Sequence, residues 1–217
     1  MKALIFGSTG LIGSHLLNLL LSSENYNSVV SLGRKTLNIS HPKLIQKQID
    51  FENLQAYFVD IDVDVVFCCL GTTIKKAGSQ DNFKKIDYHY PVLISQMAAK
   101  LNVPRMVVVS SIGADPESTN FYLKTKGLME KHVSASGLKF VTFMRPSLLL
   151  GDREEFRLGE KISAVLMKLF GWLMVGPMRP YKAVKARDVA KAMLQASLEK
   201  APPKVYSSLD IIKLANI

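Results

Sequence analysis

The sequence predicts an α/β fold: a single doubly wound domain spanning residues 1–217, with a mainly parallel sheet of about seven strands flanked by helices. Three observations predict it. Short apolar runs alternate along the chain with stretches whose apolar residues recur at helical spacing. One run, VDVVFCC (63–69), is apolar at nearly every position, as a central strand covered on both faces must be. A glycine-rich turn, GSTGLIG (7–13), joins the first apolar run directly to the first helical stretch.

The first strand is expected at Ala3–Phe6 and the first helix over Leu11–Leu21, where Leu11, Ile12, Leu16, Leu19 and Leu20 mark the period. Glycines therefore fall between strand and helix. Gly7 permits the sharp exit from the strand, Gly10 removes a side chain where a pyrophosphate would approach, and Gly13 lets the helix lie close on the sheet. A helix N-terminus there presents free N–H groups to phosphates, so Gly7, Ser8, Thr9, Gly10, Leu11, Ile12 and Gly13 form a candidate dinucleotide cradle. The second strand, Ser28–Leu32, runs into Gly33, Arg34 and Lys35. An NAD site places Asp or Glu at this point to take the ribose 2′-hydroxyl, whereas arginine neutralises a 2′-phosphate. No carboxylate stands at 33–35, so Arg34, with Lys35 as an auxiliary, predicts NADP(H) as cofactor.

A third strand over Leu44–Ile49 ends in Asp50 and Phe51, and the central run 63–69 ends in Leu70, Gly71, Thr72 and Thr73. Both ends belong at the carboxyl edge of the sheet, where ligands bind in such folds, and all six residues are candidate cofactor contacts. Lys75–Lys85 reads as a loop or short helix, and Pro91 opens the helix that follows. The fifth strand, Arg105–Val109, ends in Ser110 and Ser111, and the next helix begins near Asn120. That helix carries Tyr122 and Lys126, a YxxxK pair whose spacing puts both side chains on one helical face. An ammonium beside a phenol favours the phenolate, which suits the tyrosine to proton relay. The same spacing recurs at Tyr181 and Lys185, but in a strand-like stretch after Pro180, where the two would stand about 13 Å apart. Tyr122 and Lys126 are the favoured pair, with Ser111 as the group that holds a substrate oxygen.

Taken in order, GSTGLIG, CCLGTT, VVVSSIGAD, NFYLKTKG and MRPSLLLGDREE resemble the atypical short-chain dehydrogenases/reductases, and among them the Tat-interactive-protein oxidoreductase subgroup. The resemblance covers nearly the whole chain. It implies a Rossmann-type fold and NADP(H) held by Gly7, Thr9, Gly10, Leu11, Ile12, Arg34 and the loop of residues 70–73, with the adenine near Asp50 and Phe51. It also implies a Ser111, Tyr122 and Lys126 triad, with Lys126 holding the nicotinamide ribose hydroxyls. Ser110 and Arg145 would border the cofactor, Arg145 either touching a ligand or capping the sheet. One departure stands out: the relay asparagine of classical members has no clear match, because the comparable stretch reads KKIDYHYP, with Asp87.

Other classes are disfavoured by composition and spacing. The net charge of +10 comes as scattered pairs, with no basic run and no aromatic-studded RNA-binding motif, so nucleic-acid binding is not expected. The four histidines lack ligand spacing, so no metal site is expected. Cys68 and Cys69 are neighbours on a strand, point to opposite faces, and read as small buried residues rather than a disulfide. No stretch reaches the roughly 18–20 apolar residues of a spanning helix, and the N-terminus lacks signal-peptide flanks, so a cytoplasmic location is expected. Residues 146–185 should supply most of a small C-terminal substrate lobe. Within it, 162–175 (ISAVLMKLFGWLMV) reads as a buried or substrate-lining helix, with a membrane-surface or protein-partner segment as the alternative. The functional expectation is hydride transfer to or from a small carbonyl or alcohol substrate, in a chain that is free to form a homodimer. The alternative is a protein that binds NADP(H) and reports its occupancy to a partner with little or no turnover.

Overall fold

Strand β1 (Lys2–Phe6) is buried at every position but its first, as an apolar run must be at the centre of a sheet covered on both faces. The computed structural model describes residues 1–58, 61–150, 183–200 and 204–217. In it, β1 pairs in parallel with β2 (Ser28–Gly33) on one side and with β4 (Val65–Cys68) on the other. Outward from these lie β3 (Leu44–Gln48), β5 (Arg105–Val109), β6 (Phe140–Arg145) and β9 (Val205–Ser207). The order is β3-β2-β1-β4-β5-β6-β9, seven strands paired in parallel throughout. The chain winds outward from β1 to β3, then returns to the other side of β1 at β4. That reversal opens a crevice at the carboxyl ends of β1 and β4.

Alternation along β1 assigns the two faces. Ala3 and Ile5 join a core with Leu16, Leu17 and Leu20 of α1 (Leu11–Ser22) and with Val189 and Met193 of the helix Ala186–Leu198. Leu4 and Phe6 join the opposite core with Ile94 and Ala98 of α4 (Tyr90–Lys100) and Met129 and Val133 of α5 (Phe121–Ser134). Helices thus cover both faces, as the doubly wound reading requires.

The polar stretch after β4 folds as two short helices, α2 (Ile74–Ala77) and α3 (Gln80–Lys84). Thr73 and Ser79 accept hydrogen bonds from the amides of Lys76 and Asn82 and so start each one. Between α3 and α4 the backbone widens into a π turn, Lys85–His89, in which the Tyr90 amide reaches back to the Lys85 carbonyl. Pro91 explains the widening, because it has no N–H to give residue 87 and its ring would strike that carbonyl in a regular helix. A 3₁₀ helix, Phe51–Tyr57, follows β3 and was not expected from the sequence. Of the expected C-terminal lobe, 151–182 lie outside the described residues, including the apolar run 162–175 and Tyr181. Its flanks, β7 (Leu149–Leu150) and β8 (Val184–Lys185), pair in parallel.

Candidate cofactor cleft and proton-relay site

The crevice is a cleft of about 820 Å³, within the range of ligand sites. Its floor is the glycine turn. Gly7 has φ of +82°, which turns the chain out of β1, and its carbonyl accepts from the Gly10 amide at 2.9 Å. A Cβ on Gly13 would fall 2.0 Å from the Gly7 oxygen, so only glycine lets α1 approach this closely. Ser8 is tied to β2 by a buried hydroxyl pair with Ser31 at 2.7 Å. The N-terminus of α1 has no side-chain cap and no acidic residue in its first turn, which leaves its amides available to an anion.

Ten of the expected cofactor residues line this cleft: Gly7, Ser8, Thr9, Gly10, Arg34, Lys35, Phe51, Leu70, Gly71 and Thr72. Leu11, Ile12 and Gly13 lie behind them in the first turn of α1 and do not line it. Asp50 and Thr73 are also off the lining. Each caps a helix: Asp50 accepts from the Glu52 amide at 3.0 Å, and Thr73 from the Lys76 amide at 3.1 Å. The cleft also gains residues that motif reading missed, among them Glu52, Cys69, Lys76, Asn82, Lys85 and Tyr90. Glu52 accepts from Tyr90 at 2.7 Å and pairs with Lys85 at 2.7 Å, which holds its carboxyl below the usual range. The lysine pairs of this stretch were the available signal; that two short helices fold them over the crevice was not in it. Cys68 and Cys69 are free thiols, and burial pushes the Cys68 thiol up to about 12.

The YxxxK pair stands on α5, which Asn120 starts by accepting from the Leu123 amide at 3.1 Å. Gly127 lets α5 press against the Asp115–Pro116 loop, where a Cβ would lie 2.1 Å from the Asp115 carbonyl carbon. The Tyr122 ring packs 5.5 Å from that of Phe83. Lys126 is buried, and its ammonium meets Asp87 Oδ1 at 2.8 Å. Asp87 Oδ2 accepts from the Thr72 amide of the cleft wall at 2.8 Å. Burial pushes the Lys126 ammonium down, but the Asp87 carboxylate and the Tyr122 phenol outweigh it and hold the group above 10.5. Ser111, at the end of β5, is half-buried and donates to the Ile112 carbonyl at 3.3 Å.

Ser110 and Arg145 are engaged elsewhere. Glu130 accepts from Arg145 Nε at 2.9 Å, from Arg145 Nη2 at 2.6 Å and from the Ser110 hydroxyl at 2.5 Å. Of the two uses open to Arg145, these bonds are of the sheet-capping kind, and neither residue lines the cleft.

A family model described as NAD(P)H-binding matches residues 7–199. The chain belongs to that family. The chain is 31% identical to "Protein FMP52-1, mitochondrial" of Scheffersomyces stipitis over 100% of this chain and 98% of that one. It is 34% identical to "Protein HTATIP2" of Rattus norvegicus over 88% of this chain and 78% of the relative. Among solved structures, the UDP-glucose 4-epimerase of Thermotoga maritima with UDP-glucose superposes with a TM-score of 0.70 at 17% identity, covering 100% of this chain and 82% of that one. At that identity the likeness speaks for the fold alone. The cytoplasmic expectation is corrected by the fungal relative, which is named mitochondrial. The physical reason for the error is that composition and the lack of a spanning run describe solvation, and a compartment is not a solvation property.

Proposed function

We propose that this chain is an NADP(H)-dependent oxidoreductase acting on a small carbonyl or alcohol. One observation carries the reading. A glycine-floored cleft has Arg34 and Lys35 on its wall, and Thr72 of the same cleft is joined through Asp87 to the lysine of a helix-borne YxxxK pair. Among the described residues, no carboxylate is paired with Arg34 or Lys35, which supports their use on a 2′-phosphate. The amides at the start of α1 would hold the pyrophosphate and Phe51 would flank the adenine. When bound, NADP(H) supplies or accepts a hydride at the nicotinamide. In the reducing direction the Tyr122 hydroxyl gives its proton to the substrate oxygen as charge develops there, and Ser111 holds that oxygen. Lys126, fixed by Asp87, offers its remaining N–H groups to the nicotinamide ribose. The name of the fungal relative supports a mitochondrial setting.

The test is a panel of aldehydes and ketones with NADPH oxidation as the readout. Turnover that Tyr122→Phe lowers by at least about a hundredfold is the expected result. Tight NADPH binding with no turnover on any of them would refute the enzyme reading and leave a cofactor-binding reporter.

A further inference from the structure

Asp87 occupies an unusual place. It sits in the π turn that Pro91 imposes between α3 and α4, its side chain is 1% exposed, and both its oxygens are engaged. One meets the Lys126 ammonium, itself 4% exposed, and the other takes the Thr72 amide, each at 2.8 Å. A regular helix would carry residue 87 on a different heading, so the π turn and the ion pair belong together. Cys68 from β4 faces both members of the ion pair, and Tyr122 from α5 acts on its lysine.

We infer that Asp87 is a positioning residue for the nicotinamide half of the cofactor: it fixes the heading of Lys126 and locks that lysine to the Thr72 wall of the cleft. The inference rests on the reading that NADP(H) occupies the cleft. Where an asparagine would leave the lysine's charge uncompensated, the carboxylate balances it in a place water does not reach. The ammonium then keeps its proton across the physiological range, and the ion pair fixes its place beside the cleft wall. The adenosine half has no such dependence, because Arg34, Lys35 and Phe51 stand on the β2 and β3 side of the cleft.

The experiment compares the unmodified chain with Asp87→Asn by two readouts. In the first, NADPH and adenosine 2′,5′-bisphosphate, which lacks the nicotinamide half, are titrated separately. NADPH should weaken about tenfold and the bisphosphate by less than about twofold. Equal weakening of both probes would overturn the inference, because a merely structural role harms the whole cleft. The second readout needs no ligand. Burial lowers Lys126 and the Asp87 carboxylate opposes it, so without that counter-ion the folded-state pKa should drop below the unfolded value of 10.5. The unfolded chain then binds more protons between those two values, so the stability of Asp87→Asn rises with pH there. Its melting temperature should trail the unmodified chain by about 10 °C at pH 7 and by half that or less at pH 10. Repeating the pair in a Tyr122→Phe background removes the phenol from the titration. A deficit that stays constant from pH 7 to 10 overturns the inference. Should Asp87→Asn fail to fold, Asp87→Asn with Lys126→Met removes both charges and recovers folding; failure of that double variant overturns it equally. If neither probe binds the unmodified chain, the cofactor reading falls and the inference with it, while the melting series still reports the ion pair.

Discussion

Gly13→Ala sets two effects against each other. In a helix interior alanine is favoured over glycine by about 1 kcal/mol, so propensity alone predicts a more stable protein. The added methyl, however, would stand 2.0 Å from the Gly7 carbonyl oxygen, 2.7 Å from its carbon and 3.0 Å from Ser8 Cα, against backbone that has nowhere to turn. Relief requires α1 to retreat by roughly 1 Å, yet Leu16, Leu17 and Leu20 of the same helix are at most 1% exposed and packed into the core. Overpacking of this kind costs about 1–3 kcal/mol, and a backbone wall puts it at the upper end. The clash wins by about 1–2 kcal/mol. For a chain of this length the melting temperature should fall by about 2–8 °C. The amides at the start of α1 withdraw from the cleft in the same movement, so NADPH should bind at least about tenfold more weakly. Circular-dichroism melting and a fluorescence titration measure the two effects. An unchanged or raised melting temperature with unaltered NADPH affinity would refute the packing argument. Gly10→Ala is the control for the melting arm alone, since its Cβ would meet only the Gly7 oxygen, at 3.2 Å, and the residue itself lines the cleft.

Three further outcomes are expected. Arg34→Ala should weaken NADPH by about tenfold and leave NADH within about twofold, since only the former carries the 2′-phosphate; equal NADPH and NADH affinities in the unmodified chain would already contradict the cofactor assignment. Glu130→Gln removes the charge that binds both forks of Arg145; because the arginine side chain is 31% exposed, the loss is discounted to about 2 kcal/mol in a urea titration, and a change under about 0.5 kcal/mol would show the network to be dispensable. Tyr26 is fully buried with its hydroxyl 2.7 Å from Ser197, and burial raises its phenol from 10.0 to about 12. The unfolded chain therefore loses that proton first, so stability is complete below pH 10 and falls as pH rises from 10 to 12, by about 1.4 kcal/mol at pH 11. Tyr26→Phe should flatten that part of the melting profile, and an unchanged slope would assign the loss to another group.

Local signals carried much of the cleft. GSTGLIG demanded a positive φ and a close helix, and Gly7 and Gly13 supply both. Arg34 and Lys35 follow β2 directly, so their place on the wall is set by where that strand ends. The opposite wall was illegible. Glu52, Lys76, Lys85 and Tyr90 reach the cleft from a 3₁₀ helix, α2, the π turn and the start of α4, and nothing in a run of lysines says which way those elements turn. Asp50, Thr73, Ser110 and Arg145 were legible as residues near the carboxyl edge, but their partners were not. Each is hydrogen-bonded within the protein, as a helix cap or to Glu130.

Consecutive residues by themselves determined the alternation of strands and helices, the glycine turn between β1 and α1, the cation after the second strand and the helical face shared by Tyr122 and Lys126. These follow from backbone sterics and side-chain period, which act over a few residues. Tertiary structure alone decided that Asp87 answers Lys126, that Glu130 claims Ser110 and Arg145, and that two lysines and a tyrosine wall the cleft. Those facts depend on where separately encoded elements cross, and a charge finds its partner through space, at distances that sequence separation does not reveal.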